Sequence, residues 1–336
     1  MEPVRLVIPS KGELEEPTLA FLAEAGLAVD RLSPRQYVAR VGAVEGLEVL
    51  FQRAWDIPEK VASGAADLGI TGYDVVAEQA ADTPDLVVVM PNLGYGRADL
   101  VIAVPDVWVD VRSVRDLAEV AVEFRARGQV LRVVTRYPRL TQRFLLANGI
   151  GHFVLVGAQG AVEAAPAIGY GDIIADLTSS GTTLRENHLK TIAGGTILQT
   201  EACLIANRRR LRADPDRLEV VRRLMELIEA RLRAAGFYSV TGNVPGDSAE
   251  TVAQAVISRP ELSGIEGPTV SPVYSKSGRV NGWYAVTVVV PVRQMQAAVD
   301  HLRRLGGSGI TVVPVKYVFE PACEAFGRLV KTLYQD

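Results

Sequence analysis

Six small residues, Thr178, Ser179, Ser180, Gly181, Thr182 and Thr183, lie between an apolar run and a helix-like segment. Ile173, Ile174, Ala175 and Leu177 read as a short buried strand, and residues 184–190 as the opening of a helix. A loop of this composition can turn successive backbone N–H groups inward. The positive end of the next helix adds to them, so an anion is held without a lysine. The same residues also suit a helix start rich in hydroxyl caps. Composition alone leaves both readings open. The stretch lacks Gly-Lys-Ser/Thr and is not a Walker A loop, and no G-x-G-x-x-G accompanies it to mark a dinucleotide site.

Asp172 and Asp176 flank the strand that enters the loop. Four apart on a strand, they share a face. Carboxylates there suit ribose hydroxyls or a Mg²⁺-bound sugar phosphate; otherwise they form an ordinary exposed face. Three further signals fall at predicted strand ends. Lys11-Gly12 follows the first strand, Arg53 follows LEVLFQ with Asp56 three residues on, and GITGYD (69–74) is a strand-to-helix turn carrying Asp74. Each has a bland surface explanation, but all share one topological edge. No strong protein nucleophile is evident, so the chemistry these residues suit is positioning and charge neutralisation.

The elements that must position them are α/β. Residues 4–100 alternate β-branched runs with helical patterns, and the pattern restarts over 100–180. Strands alternating with helices predict mostly parallel sheets, and two such lobes predict a ligand cleft between them. The segment TILQTEACLIANR reads as a returning strand or strand pair, and NRRRLRADPDR (207–217) as a polar connector. Leu218, Val221, Leu224, Met225, Ile228 and Leu232 then recur at helical spacing. Beyond Gly236 the order strand, helix, hairpin, helix, strand is a ferredoxin-like βαββαβ unit. The hairpin's turn reads as glycine-rich.

With 336 residues, two or three domains are expected. The net charge of −3 provides no broad basic field, so no nucleic-acid partner is expected. No apolar run is long enough for a transmembrane helix, and the start of the chain shows no secretory pattern. Cys203 and Cys323 imply no disulfide framework, and His152, His188 and His301 show no ligand spacing. The expected setting is reducing and cytoplasmic, with no membrane partner.

The segments PSKGELEEPTLAFLAEAG, RAWDIPEKVASGAADLGITGYD, TRYPRLTQRFL, GAVEAAP and DIIADLTSSGTTLRENHLK together resemble the ATP phosphoribosyltransferases in their long, hexameric form. EGPTVSPVY and GGSGITVVPVKYV resemble that family's C-terminal regulatory domain. The resemblance implies two lobes like type II periplasmic binding proteins plus the ferredoxin-like domain. Lobe I would comprise 1–98 and 192–212, lobe II 99–191, the regulatory domain 213–318 and a C-terminal extension 319–336. The implied reaction joins phosphoribosyl pyrophosphate (PRPP) to N1 of ATP and releases pyrophosphate. It requires Mg²⁺ and is inhibited by L-histidine bound at the regulatory domains of a homohexamer or homodimer.

Carried over by residue, Thr178 to Thr183 would hold the 5′-phosphate. Asp176, Asp172 and Glu163 would serve the ribose, and Lys11, Arg53 and Asp74 would meet ATP or pyrophosphate. Asn243, Thr269 and Ser271 would meet histidine. No ligand set is implied for the metal. Many members read K-G-R-L where this chain has Glu13. Some carry lysine at the position of Trp55 and some aspartate at that of Asn243. Two other readings remain at this stage: a two-lobed solute receptor, which would need no such loop, and a non-catalytic regulatory paralogue, which would not keep the loop intact.

Overall fold

A computed structural model describes residues 2–31, 33, 36–80, 83–158, 160–275 and 278–335. The chain forms two compact units, Met1–Met225 with Glu324–Asp336, and Glu226–Cys323.

The first unit holds two lobes. One lobe runs β1 (Val4–Pro9), α1 (Glu15–Glu24), β2 (Val29–Asp30), β3 (Val38–Val41), β4 (Leu47–Gln52), α2 (Ile57–Ala62), β5 (Leu68–Gly72), α3 (Tyr73–Gln79) and β6 (Leu86–Met90). The other runs β7 (Ala98–Pro105), α4 (Val114–Ala126), β8 (Leu131–Thr135), α5 (Pro138–Ala147), β9 (Phe153–Gly157), β10 (Ile173–Thr178), α6 (Thr182–Glu186) and β11 (Leu189–Thr200). The chain then returns through β12 (Ala202–Asn207).

The sheets are ordered β2-β3-β4-β1-β5-β12-β6 and β11-β7-β10-β8-β9. From β4 to β6 the first repeats the second read from β9 to β11. In each, a parallel trio is followed by an antiparallel strand that has just crossed from the other lobe. The strand that precedes each crossing stands at the edge. This is the two-lobed fold of the periplasmic-binding-protein type. The returning segment is shared: β11 belongs to the second sheet and β12 to the first. Neither β6 nor the β2–β3 pair was singled out from the sequence.

Central strands read as unbroken apolar runs because both faces are covered. All of β5 and β12 is buried. Gly69 is needed where α2 packs on β5, because a Cβ there would lie 2.6 Å from Ile57 Cγ2 and 2.9 Å from Val61 Cγ2. The polar segment after β12 is not a plain connector. It forms α7 (Arg208–Ala213), started by Asn207, whose side chain accepts the Arg210 N–H. Local capping outweighs the polarity that suggested a linker. Buried Asp67 accepts from the Arg5 N–H (2.8 Å), Arg210 Nε (2.7 Å) and Arg217 (2.8 Å), tying both ends of this segment to β1 and β5.

Helix α8 (Pro215–Ala234) carries the apolar stripe read from the sequence. It leads to β13 (Phe237–Pro245), α9 (Ala249–Ile257), β14 (Thr269–Ser275), β15 (Gly278–Pro291), α10 (Val292–Arg304) and β16 (Ser308–Pro314). The antiparallel order β14-β15-β13-β16 is that of the ferredoxin-like fold. Positions 276–277 of the hairpin turn lie outside the described residues. Val240, Val244, Tyr284, Val286, Val288 and Val290 form its core with residues of α9 and α10, among them Val252, Val256 and Leu302. Last, α11 (Glu324–Tyr334) packs on β6 and α7 through buried Ala325, Leu329 and Leu333. That i, i+4, i+8 spacing makes one apolar helix face.

Candidate functional site

The hydroxyl loop leaves the end of β10. Gly181, with φ +70°, makes the turn, a backbone state that favours glycine. Thr178 Oγ1 accepts the Gly181 N–H at 2.9 Å. Thr182 Oγ1 accepts from Ser180 Oγ (3.0 Å) and from Arg185 (3.1 Å), whose guanidinium also donates to the Ser180 carbonyl at 3.4 Å. Ser179, Ser180, Thr182 and Thr183 remain exposed. The loop is therefore internally tied and open at its surface, with a cation beside it. Both sequence readings hold in part, since the hydroxyls brace the corner and its outer face is free for a ligand. Arg185 escaped notice in the sequence because it lies inside the helix segment, although its spacing from Thr182 puts it one helical turn away.

Asp176 lies on β10 two residues before Thr178 and is half-buried. Burial pushes its carboxyl up to about 6; the carboxylates of Glu163 and Glu13 add to this, while the Leu177 N–H and Arg136 oppose it. Asp176 therefore lies within electrostatic reach of Glu163, Arg136 and Glu13. Glu163 sits in a one-turn helix, Val162–Ala164, that follows Ala161 at φ +47°. Asp172 stands at the other end of the strand, ~13 Å away at the usual rise of β-structure. Its carboxylate is taken by Arg132, at 2.8 Å from Nη2, 3.3 Å from Nε and 2.8 Å from the backbone N–H. Equal faces do not mean equal ends: the structure pairs Asp172 with Arg132 and does not bring it together with Asp176.

Lys11 and Arg53 are exposed, and they line a cavity of about 840 Å³ with Trp55, Asp56, Thr135, Arg136 and Pro138. Both lobes contribute: Lys11, Arg53 and Trp55 from the first, Thr135, Arg136 and Pro138 from the second. Three cations around one opening suit a polyphosphate. A second cavity, about 650 Å³, is lined by Thr178 and Ser179 of the loop with Tyr73, Asn92, Arg97, Asp99, Gln199 and Glu201. Arg97 pairs with Glu201 at 3.0 Å. Arg136 was not singled out, although it follows β8 directly and meets the same strand-end rule that picked out Lys11 and Arg53.

Asp74 is elsewhere. It is 4% exposed, and its carboxylate accepts the Tyr137 hydroxyl (2.7 Å) and the Thr200 hydroxyl (3.0 Å). Burial and the neighbouring Asp74 charge push the Tyr137 hydroxyl pKa up, so it stays a donor. The structure thus does not bring Asp74 to the cavity that Lys11 and Arg53 line. In the ferredoxin-like unit, Asn243 of β13 is in register with Ala285 of β15, which is in register with Ser271 of β14. Register partners point to one face, here the face away from Val240 and Val244. Thr269, two residues from Ser271, shares that face. Among the described residues no group of three or more His, Cys, Asp or Glu side chains is spaced to hold a metal ion, and no helix is long and apolar enough to cross a membrane.

Two α/β lobes of one topology, with a hydroxyl loop and a cation-lined opening between them, define a group-transfer enzyme acting on phosphorylated substrates. The family model for ATP phosphoribosyltransferase matches residues 53–230, and that for its C-terminal domain matches 234–317. ATP phosphoribosyltransferase 1, chloroplastic, of Arabidopsis thaliana is 40% identical over 334 residues, covering 98% of this chain and 81% of that protein. An ATP phosphoribosyltransferase of Rhodopseudomonas palustris is 35% identical over 337 residues, covering 99% of each. A chain of the ATP phosphoribosyl transferase (HisG:HisZ) complex from Thermotoga maritima superposes with a TM-score of 0.50 at 25% identity, covering 67% of this chain and 98% of that one. This chain belongs to the ATP phosphoribosyltransferase family, in its long form with the C-terminal domain. It is a transferase of the first step of histidine biosynthesis, a family that uses ATP, PRPP and a divalent metal ion.

Proposed function

We propose that the chain transfers the phosphoribosyl group of PRPP to N1 of the ATP adenine, releases pyrophosphate, requires Mg²⁺ and is inhibited by L-histidine. The observation that carries this reading is the junction at the end of β10. There an open hydroxyl loop, Thr178 to Thr183, continues the strand that bears Asp176, and the charges of Glu163 and Arg136 reach that carboxyl.

The loop and Arg185 hold the 5′-phosphate. Asp176, with Glu163 beside it, accepts hydrogen bonds from the ribose hydroxyls, strongest when the carboxylate is ionised. Lys11, Arg53 and Arg136 face the polyphosphates and stabilise the charge that grows on departing pyrophosphate. Displacement at the anomeric carbon passes through a cation-like ribosyl centre. What the chain supplies is alignment: a fixed phosphate end, held hydroxyls and a neutralised leaving group. Asp176 and Glu163 offer hard oxygen donors, and no larger cluster exists among the described residues. That donor set fits Mg²⁺, which keeps several waters and binds through one or two carboxylates plus substrate phosphates. When bound, Mg²⁺ supplies charge neutralisation at the pyrophosphate.

Residues Glu226–Cys323 form the regulatory unit in this reading, with histidine recognised on the sheet face of Asn243, Thr269 and Ser271. The assembly is a homohexamer or homodimer in the cytoplasm. The test is pyrophosphate release from purified chain. It is expected only with ATP, PRPP and Mg²⁺ together, and release independent of any one of the three rejects the assignment.

A further inference from the structure

The two lobes place topologically equivalent corners at β5–α3 and β10–α6. The second opens into the exposed hydroxyl loop. The first has no loop at all: Gly72 is the N-cap, Tyr73 the first helical residue, and Asp74 is buried behind them. A Cβ at Gly72 would collide with Asp74 Oδ1. The corner is closed from the hinge, because Thr200, at the end of β11, both donates to Asp74 Oδ1 and accepts the Asp74 N–H at 2.9 Å. It is also closed from the other lobe, by the Tyr137 hydroxyl. One helical turn further, the buried carboxylate of Glu78 accepts the N–H groups of Arg139 (2.8 Å) and Leu140 (3.0 Å). These lie in the first turn of α5, where backbone donors lack partners within the helix. Helix α3 of one lobe therefore caps α5 of the other. The two grips hold residues 137–140. Arg136 immediately precedes them, with its guanidinium 5.4 Å from the Trp55 ring centroid, and the Tyr137 ring meets Trp55 edge-on at 5.5 Å.

We propose that Asp74 and Glu78 are positioning residues that latch the lobes together through Tyr137 and the start of α5, and so aim Arg136 into the cleft. A buried carboxylate is costly unless hydrogen-bonded. Both acids draw donors from the opposite lobe, so separating the lobes strips them of these partners. The closed spacing is thereby preferred before substrate arrives.

The inference rests on the transferase reading for its kinetic test. In the full chain, Tyr137→Phe and Asp74→Ala each lower kcat about ten- to a hundredfold, the scale of a misplaced catalytic geometry. The KM values for ATP and PRPP change by less than about threefold, as for a loss that appears only in the transition state. The double variant is no worse than the single ones. Asp74→Asn retains most activity, since its amide oxygen still accepts from Thr200 and its NH₂ donates to the Tyr137 oxygen. A substrate ligand acting by charge gives the reverse pattern: Asp74→Asn as poor as Asp74→Ala, with Tyr137→Phe normal. That result overturns the latch. If the wild-type chain releases no pyrophosphate, the transferase reading fails separately. The latch is then read from urea unfolding of the wild type, the Asp74→Ala and Tyr137→Phe variants and their double variant, where additive losses reject it.

Discussion

The lobes of the first unit share a strand order yet use one corner in opposite ways. At β10–α6 the glycine takes a left-handed turn, three residues loop outward and the hydroxyls stay open. At β5–α3 the glycine is extended, the helix starts at once and the carboxylate is buried. The same topological position therefore gives a ligand contact in one lobe and an internal brace in the other. Placement at a strand end raises the chance of function, but loop length and burial decide which kind.

The sharpest way to break this comparison is to cut the open corner. Asp176→Ala or Thr182→Ala is expected to lower kcat/KM about 10²- to 10³-fold, the scale of losing a donor or charge aimed at the reacting centre. The urea midpoint should not fall. Equal losses of activity and stability would make the open corner structural as well. A smaller effect is expected far from the corners: Asn243→Ala should raise the histidine concentration for half-inhibition about fivefold or more, the low end of allosteric coupling. An unchanged inhibition curve would move histidine off that sheet face.

The pH profile sharpens the contrast between charges. Asp176 ionises at about 6 in the folded chain, so kcat/KM should fall on an acid limb near that pH, and Asp176→Asn should remove the limb. Glu13→Gln removes a repelling carboxylate and should move the limb to lower pH, whereas Arg136→Ala should move it higher. The folded pKa lies above the unfolded one. Stability therefore declines as pH rises from the ordinary carboxylate range to about 6, and stays lower above it. The smallest effect separates two acids of one strand. Asp172→Asn should cost about 1 kcal/mol of unfolding free energy, with the ion pair to half-exposed Arg132 adding little, and should leave kcat unchanged.

Much of this was legible in the residues. The strand and helix periods gave both lobes and the βαββαβ unit, because each element buries one face or both. Glycine and hydroxyls after an apolar run marked the loop, with Asp176 on the strand before it, although the same residues suit a capped helix start. Asp172 and Asp74 stand apart from the loop for different reasons. A strand's period fixes the face but not the end, and Asp172 found Arg132 there. Asp74 sits in a glycine turn that looks like a ligand corner, but its partners Tyr137 and Thr200 are 63 and 126 residues away in sequence. No local pattern reports such distant closure. Arg136 and Arg185 were missed because single arginines near helix starts are ordinary until a cavity surrounds them.

Helix α11 lies in the first unit, although the 226–323 unit precedes it in the chain. Its docking on β6 thus closes a long chain excursion. While the inserted unit is folded, that excursion has a fixed span. Once it melts, the helix hangs on a slack tether, and re-docking pays the entropy of closing a random coil. β6, with its sequence LVVVM, is the outermost strand of its sheet. An undocked α11 bares an apolar border able to template a foreign strand. Heat damage to the inserted unit should therefore surface first as aggregation of the lobe it interrupts.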